Sequence, residues 1–322
     1  MKIKLTYKNF GKPLTETEIK FDVYQCYLKL IREFIEQKHS DKKTFINFLW
    51  NNINFKELQN INEKIIKRFL YIGWNTEFLS SLNDERDIDF LKINNHWKPI
   101  QSYYAIYSVG EAISYLIDRS VKESHRGCLK KLNLFLVEKI KVEPWCFSYK
   151  GAKRNGFIPV NFPQNIKPIN SLKRVNVEPI NMIATCLRAE HGNIIGEFKP
   201  KKLNNTDRKL GNKKKLKIDH DPGYTTILDF LYRLRIKSNY KDVEIFITEA
   251  PNDFIKGFSD NLSFIVFYTL ILFEILIIKR CGLDKFLEIA NDYCKKLGGQ
   301  ANILDKRLTF YKNLQKINKC PF

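Results

Sequence analysis

The stretch from Ser102 to Ile117, SYYAIYSVGEAISYLI, constrains the fold of this chain more than any other. On a helix, its apolar side chains cover about half of the circumference. The opposite side carries Tyr104, Ser108, Glu111 and Tyr115 in place of a charged, solvated face. A helix of this composition needs neighbours on several sides, so the sequence predicts a central core helix. Two interpretations of its polar side stay open: buried tyrosines with hydrogen-bond partners, or the lining of a functional groove.

Apolar residues at helical spacing also run through most of the remaining chain. They predict helices over about 16–34, 43–52, 55–71, 74–82, 128–140 and 225–234, with a capping box at Thr15 and Glu18. A second apolar run, Leu262 to Ile278, is short for a bilayer and contains Glu274, which is costly in lipid. We therefore expect a buried helix that ends at Gly282, and no membrane contact. The last residues, after an amphipathic region from Asp284 to Leu297, read as a polar, basic tail.

The pattern changes between Glu143 and Pro179, where prolines and glycines multiply. Two alternating stretches, Trp145–Tyr149 and Phe157–Phe162, predict a β-hairpin joined by a basic turn. The chain is thus expected to be mainly α, with an inserted region that holds a β-hairpin and a basic loop.

The net charge of +20 favours a polyanionic partner, and nucleic acid is the first candidate. A milder explanation is a compositional bias towards Lys, Asn and Ile. The segment from Lys199 to Lys217 holds nine Lys or Arg residues against one Asp, which predicts a mobile loop suited to phosphate contact. The candidate nucleic-acid-binding residues are Lys201, Lys202, Arg208, Lys209, Lys213, Lys214, Lys215 and Lys217.

The seven cysteines are scattered and never form Cys-x-x-Cys. This arrangement predicts reduced thiols in a cytoplasmic protein, without a disulfide framework or zinc site. The five histidines are dispersed, and the chain has no glycine-rich phosphate loop, so we expect neither a metal nor a cofactor.

Two separated segments resemble the HEPN superfamily of helical, RNA-associated domains. The first is the tyrosine-rich helix at Ser102–Leu116, followed by Ser124-His125-Arg126-Gly127. The second runs from Leu231-Tyr-Arg-Leu-Arg235 to Asn239-Tyr240 and precedes a long helix. Over the longer chain, the Lys-Pro-x-x-x-Tyr-Tyr entry and the His-x-Gly also look like YaaC-like proteins.

The resemblance implies a HEPN-type helical bundle over residues 99–322, with an insertion at about 141–224 and an N-terminal helical region at 1–98. It also implies an RNA-associated function, extending to a metal-independent RNase in a prokaryotic toxin or antiviral defence system. The family's Arg-x4–6-His motif is matched by Arg119 and His125, the candidate catalytic pair. The alternative for this pair is a helix-start histidine beside a surface arginine.

A second expectation from the resemblance is a polar cluster of Tyr104, Glu111, Arg235 and Tyr240 near His125, with Arg235 paired to Glu111 or Glu274. The expected partner is nucleic acid, RNA rather than DNA, with a protein partner or a homodimer also open. The alternative function is a non-catalytic nucleic-acid-binding or scaffold subunit of a multi-protein defence complex. A peripheral membrane protein is the third interpretation.

Overall fold

The fold is given by a computed structural model that describes residues 3–4, 16–82, 87–121, 124–151, 156–169, 176–202, 222–247, 251–297 and 302–318. The chain divides into two compact units. Unit 1 comprises Met1–Ile35 and Leu129–Phe258, and unit 2 comprises Glu36–Cys128 and Ser259–Phe322. This division does not follow the boundary predicted at residue 98.

Helices make up most of the described chain, which confirms the mainly α class. The N-terminal ones are α1 (Glu16–Lys38), α2 (Lys42–Asn52), α3 (Glu63–Leu82), α4 (Ile88–Asn94), α5 (Trp97–Asp118) and α6 (His125–Phe135). The others are α7 (Pro179–Lys202), α8 (Ile227–Ile236), α9 (Val243–Phe246), α10 (Asn252–Cys281), α11 (Leu283–Lys296) and α12 (Asn302–Asn318). Two π-helical turns follow α6 and α8 directly, at Leu136–Ile140 and Lys237–Lys241.

Unit 2 is organised around α5, as the sequence predicts. Pro99 lies in the first turn of this helix, where a missing amide donor costs nothing. The helix ends at Arg119, whose backbone adopts a left-handed conformation with φ of 64°. Gly73 of α3 lies against Val109 and the Ala105 carbonyl of α5, so the two backbones approach closely. The glycine therefore fixes the spacing of the central helix pair.

The predicted third helix differs from the observed one. Residues 53–62 form no helix, and α3 begins at Glu63 and continues to Leu82 without a break. Two hydrogen bonds hold the loop before α3 in place. The Asn62 amide donates to the Tyr115 hydroxyl at 3.0 Å, and the Leu58 amide donates to the Arg280 carbonyl at 2.8 Å. A periodic apolar pattern in this segment thus reflects burial in a loop.

Helix α10 is long and apolar enough to cross a membrane by length and composition, but 83% of its most apolar stretch is buried inside the protein. This burial confirms the predicted buried helix. The helix stops at Cys281, before Gly282 with φ of 88°, as predicted from the glycine.

Unit 1 contains the small strands. The hairpin pairs β2 (Ser148–Lys150) with β3 (Ile158–Val160) in antiparallel register, which confirms the predicted hairpin at a shorter length. The other pair joins β1 (Ile3–Lys4) to β4 (Asn176–Val177). Helix α8 begins with a capping box in which Thr226 and Asp229 satisfy each other's backbone amides.

Candidate functional site

A histidine surrounded by tyrosines forms the most distinctive polar site of unit 2. Tyr103, Tyr104 and Tyr107 follow one another at helical spacing on α5. Tyr103 is buried, whereas Tyr104 and Tyr107 are half-buried. His125 begins α6 and brings its imidazole onto these rings. The structure therefore joins the two sequence elements of the first predicted segment into one site.

The Ser-His-x-Gly motif acts as a helix cap. The Ser124 hydroxyl accepts a hydrogen bond from the Gly127 amide at 3.1 Å, and the Ser124 carbonyl accepts one from the Cys128 amide at 3.0 Å. These contacts satisfy the first turn of α6 and fix the backbone at His125. The motif thus sets the direction in which the imidazole leaves the helix.

The contacts of the imidazole are specific. Its Nδ1 lies 3.1 Å from the Tyr103 hydroxyl. Its ring centroid lies 4.2 Å from that of Tyr107, and 5.6 Å from those of Tyr103 and Tyr104. The imidazole is therefore packed against aromatic rings on more than one side. His125 is half-buried, and it keeps some exposure to solvent.

Glu111 extends the site one helical turn along α5. The Tyr107 hydroxyl donates to Glu111 Oε1 at 2.5 Å, while the buried Oε2 has no hydrogen-bond partner among the described residues. Burial raises the pKa of Tyr107 above its usual range, and the hydrogen bond to Glu111 adds to this rise. The result is a line of polar groups from Glu111 through Tyr107 to the face of His125. We call Tyr103, Tyr104, Tyr107, Glu111 and His125 the tyrosine–histidine site.

Arg119, the other predicted catalytic residue, has a different neighbourhood. Its guanidinium donates to the carbonyl oxygens of Gln59 at 2.7 Å and Asn60 at 3.2 Å. It also lies over the Tyr115 ring, 5.9 Å from the centroid. Arg119 is therefore an exposed residue that holds the loop before α3, and its described contacts assign it to that loop.

The predicted polar cluster is divided between the two units. Tyr104 and Glu111 belong to unit 2, and Arg235 and Tyr240 belong to unit 1. In unit 1 the Arg235 guanidinium lies 6.0 Å from the Tyr232 ring centroid and 5.5 Å from that of the exposed Tyr240. The convergence of all these residues stays a prediction.

The prediction that Glu274 pairs with Arg235 is wrong, because other donors occupy its carboxylate. These are the Trp74 indole at 2.7 Å, the Arg307 guanidinium at 2.8 Å and the Tyr311 hydroxyl at 2.7 Å. Arg233 of α8 pairs with two carboxylates, Glu190 at 2.9 Å and Glu197 at 2.5 Å. Asp229 caps α8, where its carboxylate accepts a hydrogen bond from the Thr226 amide at 2.8 Å.

Only the start of the basic segment lies within the described residues. Lys201 and Lys202 form the end of α7, so the predicted loop begins later than expected. Arg208, Lys209, Lys213, Lys214, Lys215 and Lys217 lie outside the described residues.

Two polar groups of interest escaped the sequence analysis. Arg307 is fully buried on α12, together with Leu304, Leu308 and Tyr311. His191 is also buried: its Nε2 lies 2.9 Å from the Gly151 carbonyl, and its Nδ1 lies 2.7 Å from the Thr225 hydroxyl. Burial lowers the pKa of His191. Its two nitrogens hold backbone segments together, which describes a structural histidine.

Within the described ranges, no group of three or more His, Cys, Asp or Glu side chains is arranged to hold a metal ion. Comparison of the chain with family models, curated proteins and solved structures gives no match. The likeness to the HEPN superfamily therefore stays a prediction carried by the motifs themselves.

Proposed function

We propose that this protein is an RNA-associated protein of HEPN type and that the tyrosine–histidine site is its metal-independent ribonuclease centre. The observation that carries the proposal is the imidazole of His125, held at the start of α6 by the Tyr103 hydroxyl and the Tyr107 ring. A half-buried histidine in a fixed orientation suits proton transfer near neutral pH.

The chemistry follows from the two ring nitrogens. Nδ1 is engaged by Tyr103, so we assign proton exchange with the substrate to Nε2. As general base, Nε2 takes the proton of a ribose 2′-hydroxyl, whose oxygen attacks the adjacent phosphorus. As general acid, it returns a proton to the departing 5′-oxygen. Tyr104 and Tyr107 are half-buried, and they offer aromatic surface on which an unpaired base can stack.

The charge of the chain supports a polyanionic substrate. A net charge of +20 attracts a phosphate backbone irrespective of sequence. We place the main non-specific contact at the basic segment, beginning with Lys201 and Lys202 at the end of α7. Arg119 has no assigned step in this proposal, since its guanidinium is bound to two backbone carbonyls.

The experiment is a cleavage assay on end-labelled single-stranded RNA with excess chelator. The wild-type protein should cleave, and His125→Ala should reduce the rate by about 10²- to 10⁴-fold, the usual contribution of a general acid or base. Tyr103→Phe should shift the pH profile of the rate while leaving RNA affinity unchanged. Lys130→Ala, an exposed change further along α6, is the matched control for the loss of a side chain. Equal rates for His125→Ala and wild type would reject the assignment.

The setting of a prokaryotic toxin or antiviral defence system is part of the same proposal. Induced expression of the wild-type chain in a bacterial host should then arrest growth, and His125→Ala should relieve the arrest at equal protein level. Growth arrest by both forms alike would argue against toxicity through this site.

The second candidate is a non-catalytic nucleic-acid-binding or scaffold subunit, favoured by the concentration of charge at 199–217. Binding of this kind weakens steeply with salt. Replacing Lys213, Lys214 and Lys215 by Ala should lower the slope of log affinity against log salt by about 2 to 3, close to one for each phosphate that is no longer neutralised. RNA binding without cleavage, together with this change of slope, would select the second candidate over the first.

A further inference from the structure

A cleft of 290 Å³ opens in unit 2 between α3, α10 and α12. Its walls combine a carboxylate, hydroxyls and apolar side chains, and they include Glu77, Ser80, Ser81, Phe264, Val266 and Phe267. Lys306 of α12 is exposed and also lines the cleft. Neither the resemblance nor the tyrosine–histidine site gives this cleft a role.

The floor of the cleft is one end of a buried ionic network. Arg307 donates from Nη1 to Glu77 Oε1 at 2.5 Å and from Nη2 to Glu77 Oε2 at 2.7 Å. The same guanidinium donates to both oxygens of Glu274 at 2.8 Å. The network thus contains two carboxylates and one guanidinium, and one negative charge is left over when all three are ionised.

The two carboxylates differ in how far their hydrogen-bonding capacity is used. A carboxylate offers about four acceptor positions. Glu274 receives four hydrogen bonds, from Arg307, Trp74 and Tyr311. From the part of the chain that the structure describes, Glu77 receives two, both from Arg307, and it is the carboxylate that faces the cleft. The unused acceptor capacity of Glu77 therefore lies at the cleft wall, which Lys306 also lines with one positive charge.

Other polar groups around the cleft are accounted for. The Ser81 hydroxyl donates to the Phe78 carbonyl at 2.7 Å, which leaves its oxygen able to accept a hydrogen bond. Lys98 is buried and donates to the Ser80 carbonyl at 2.9 Å. The Arg307 guanidinium lies over the Phe267 ring, 5.4 Å from its centroid.

We propose that this cleft binds a small organic cation, a primary ammonium group with a short apolar tail. The ammonium donates to Glu77 and to the Ser81 hydroxyl, and the tail lies against Phe264, Val266 and Phe267. An ammonium carries three donors and no acceptor, which matches a wall of acceptors. The aromatic rings add a favourable surface for a cation. Since a water molecule takes up about 30 Å³ of the liquid, a cleft of 290 Å³ has room for a small amine.

The experiment is calorimetric titration of the purified full chain with 1-pentylamine. Its matched probes are 1-pentanol, which has the same tail without charge, and pentanoate, which has the opposite charge. Pentylamine should bind with one-to-one stoichiometry, and pentanol should bind at least about tenfold more weakly, since a charged hydrogen bond is worth more than a neutral one. Pentanol binding as tightly as pentylamine would overturn the proposal.

Substitutions locate the binding. Glu77→Gln should weaken pentylamine binding at least tenfold and leave pentanol binding unchanged. Lys306→Met should strengthen pentylamine binding, because it removes a positive charge from the cleft wall. Because Glu77→Gln alters a buried network, Ser81→Trp is the second variant: it starts from a half-buried position and fills the cleft. Retained affinity in a folded Ser81→Trp protein, or weaker binding in Lys306→Met, would exclude this cleft. RNA cleavage is read out separately, so either proposal can fail alone.

Discussion

Arg307 of α12 binds Glu274 of α10 through two hydrogen bonds of 2.8 Å, one from Nε and one from Nη2. Both side chains are completely buried. A buried guanidinium in water-free surroundings is tolerated only when its donors are matched, and here Glu77 of α3 completes the set. Three helices of unit 2 are thereby joined at one point, so the network specifies which face of α12 turns inward.

Replacing Arg307 tests that conclusion. Arg307→Met keeps most of the side-chain volume but leaves two buried carboxylates without their main partner, so we expect a loss of about 3 to 5 kcal/mol in the free energy of unfolding. Urea-induced unfolding combined with hydrogen exchange measures it for unit 2. Lys312→Met, an exposed change on α12, should cost less than about 0.5 kcal/mol. A similar small loss for Arg307→Met would mean that the network does not hold α12.

The sequence does not predict the C-terminal helix α12. The central helix α5 is predictable because its apolar side chains cover much of its circumference, and Pro99 and the following polar break mark its ends. The C-terminal residues read as a basic tail because charged residues outnumber the buried Leu304, Leu308 and Leu314. A buried arginine has the same sequence signal as a solvated one until its carboxylate partners are known.

The division into units was equally hard to foresee. The chain passes from one unit to the other at residues 35–36, 128–129 and 258–259, and each of these points falls inside a helix. Gly127 and Gly257 lie directly before the second and third crossings, but inside helices, where a single glycine does not signal a boundary. For the site, the sequence identified His125, Tyr104 and Glu111, but not Tyr103 or Tyr107, whose contacts with His125 and Glu111 depend on side-chain direction.

Gly73 gives a prediction about the α3–α5 contact. In Gly73→Ala, the new Cβ would lie 2.5 Å from Val109 Cγ2 and 3.1 Å from the Ala105 carbonyl oxygen. Such crowding should destabilise unit 2 by about 1 to 3 kcal/mol, measured by urea unfolding. Gly196→Ala is the matched control: its Cβ would meet nothing within 4 Å, and the helical alanine should stabilise α7 by up to about 1 kcal/mol.

The double variant Gly73→Ala with Val109→Ala distinguishes the effects of the two atoms that crowd the new Cβ. Adding Val109→Ala removes the closer one but leaves the backbone oxygen in place, so stability should return only in part. Full recovery would show that the helices can move apart at no cost. An unchanged stability in Gly73→Ala itself would contradict the close approach.

The tyrosine–histidine site yields a prediction about stability that does not depend on RNA. Tyr107→Phe removes the hydrogen bond to Glu111, whose other oxygen already lacks a partner, so a buried carboxylate is left without a described donor. We expect a loss of about 1 to 3 kcal/mol in unfolding free energy, and near-recovery in Tyr107→Phe with Glu111→Leu, because no unmatched polar group then remains. Tyr240→Phe, at an exposed ring, is the control and should be neutral. A double variant less stable than the single one would refute this account.

Unit 1 gives a prediction about pH. Burial raises the pKa of Glu190 to about 7 from its ordinary 4.5, against the opposing effect of Arg233. Between pH 4.5 and about 7, the folded state therefore holds a proton that the unfolded state has released. The contribution of this group to stability is complete below pH 4.5 and declines as the pH rises through the window, by on the order of 3 kcal/mol at most.

Glu190→Gln removes that titration and keeps an acceptor for Arg233 Nε, so unit 1 of the variant should lose less stability than wild type between pH 4.5 and 7. Glu197, which also binds Arg233, titrates in a different pH range. Burial raises the pKa of Glu197, but hydrogen bonds from Arg233 and Lys241 lower it to about 2. Its stabilising contribution declines only as the pH falls below 4.5, outside the range measured.

Glu244→Gln, at an exposed position of α9, controls for the removal of one negative charge. Stability curves of wild type and Glu190→Gln that run parallel across the window would show that Glu190 is ionised throughout, and that Arg233 outweighs the effect of burial.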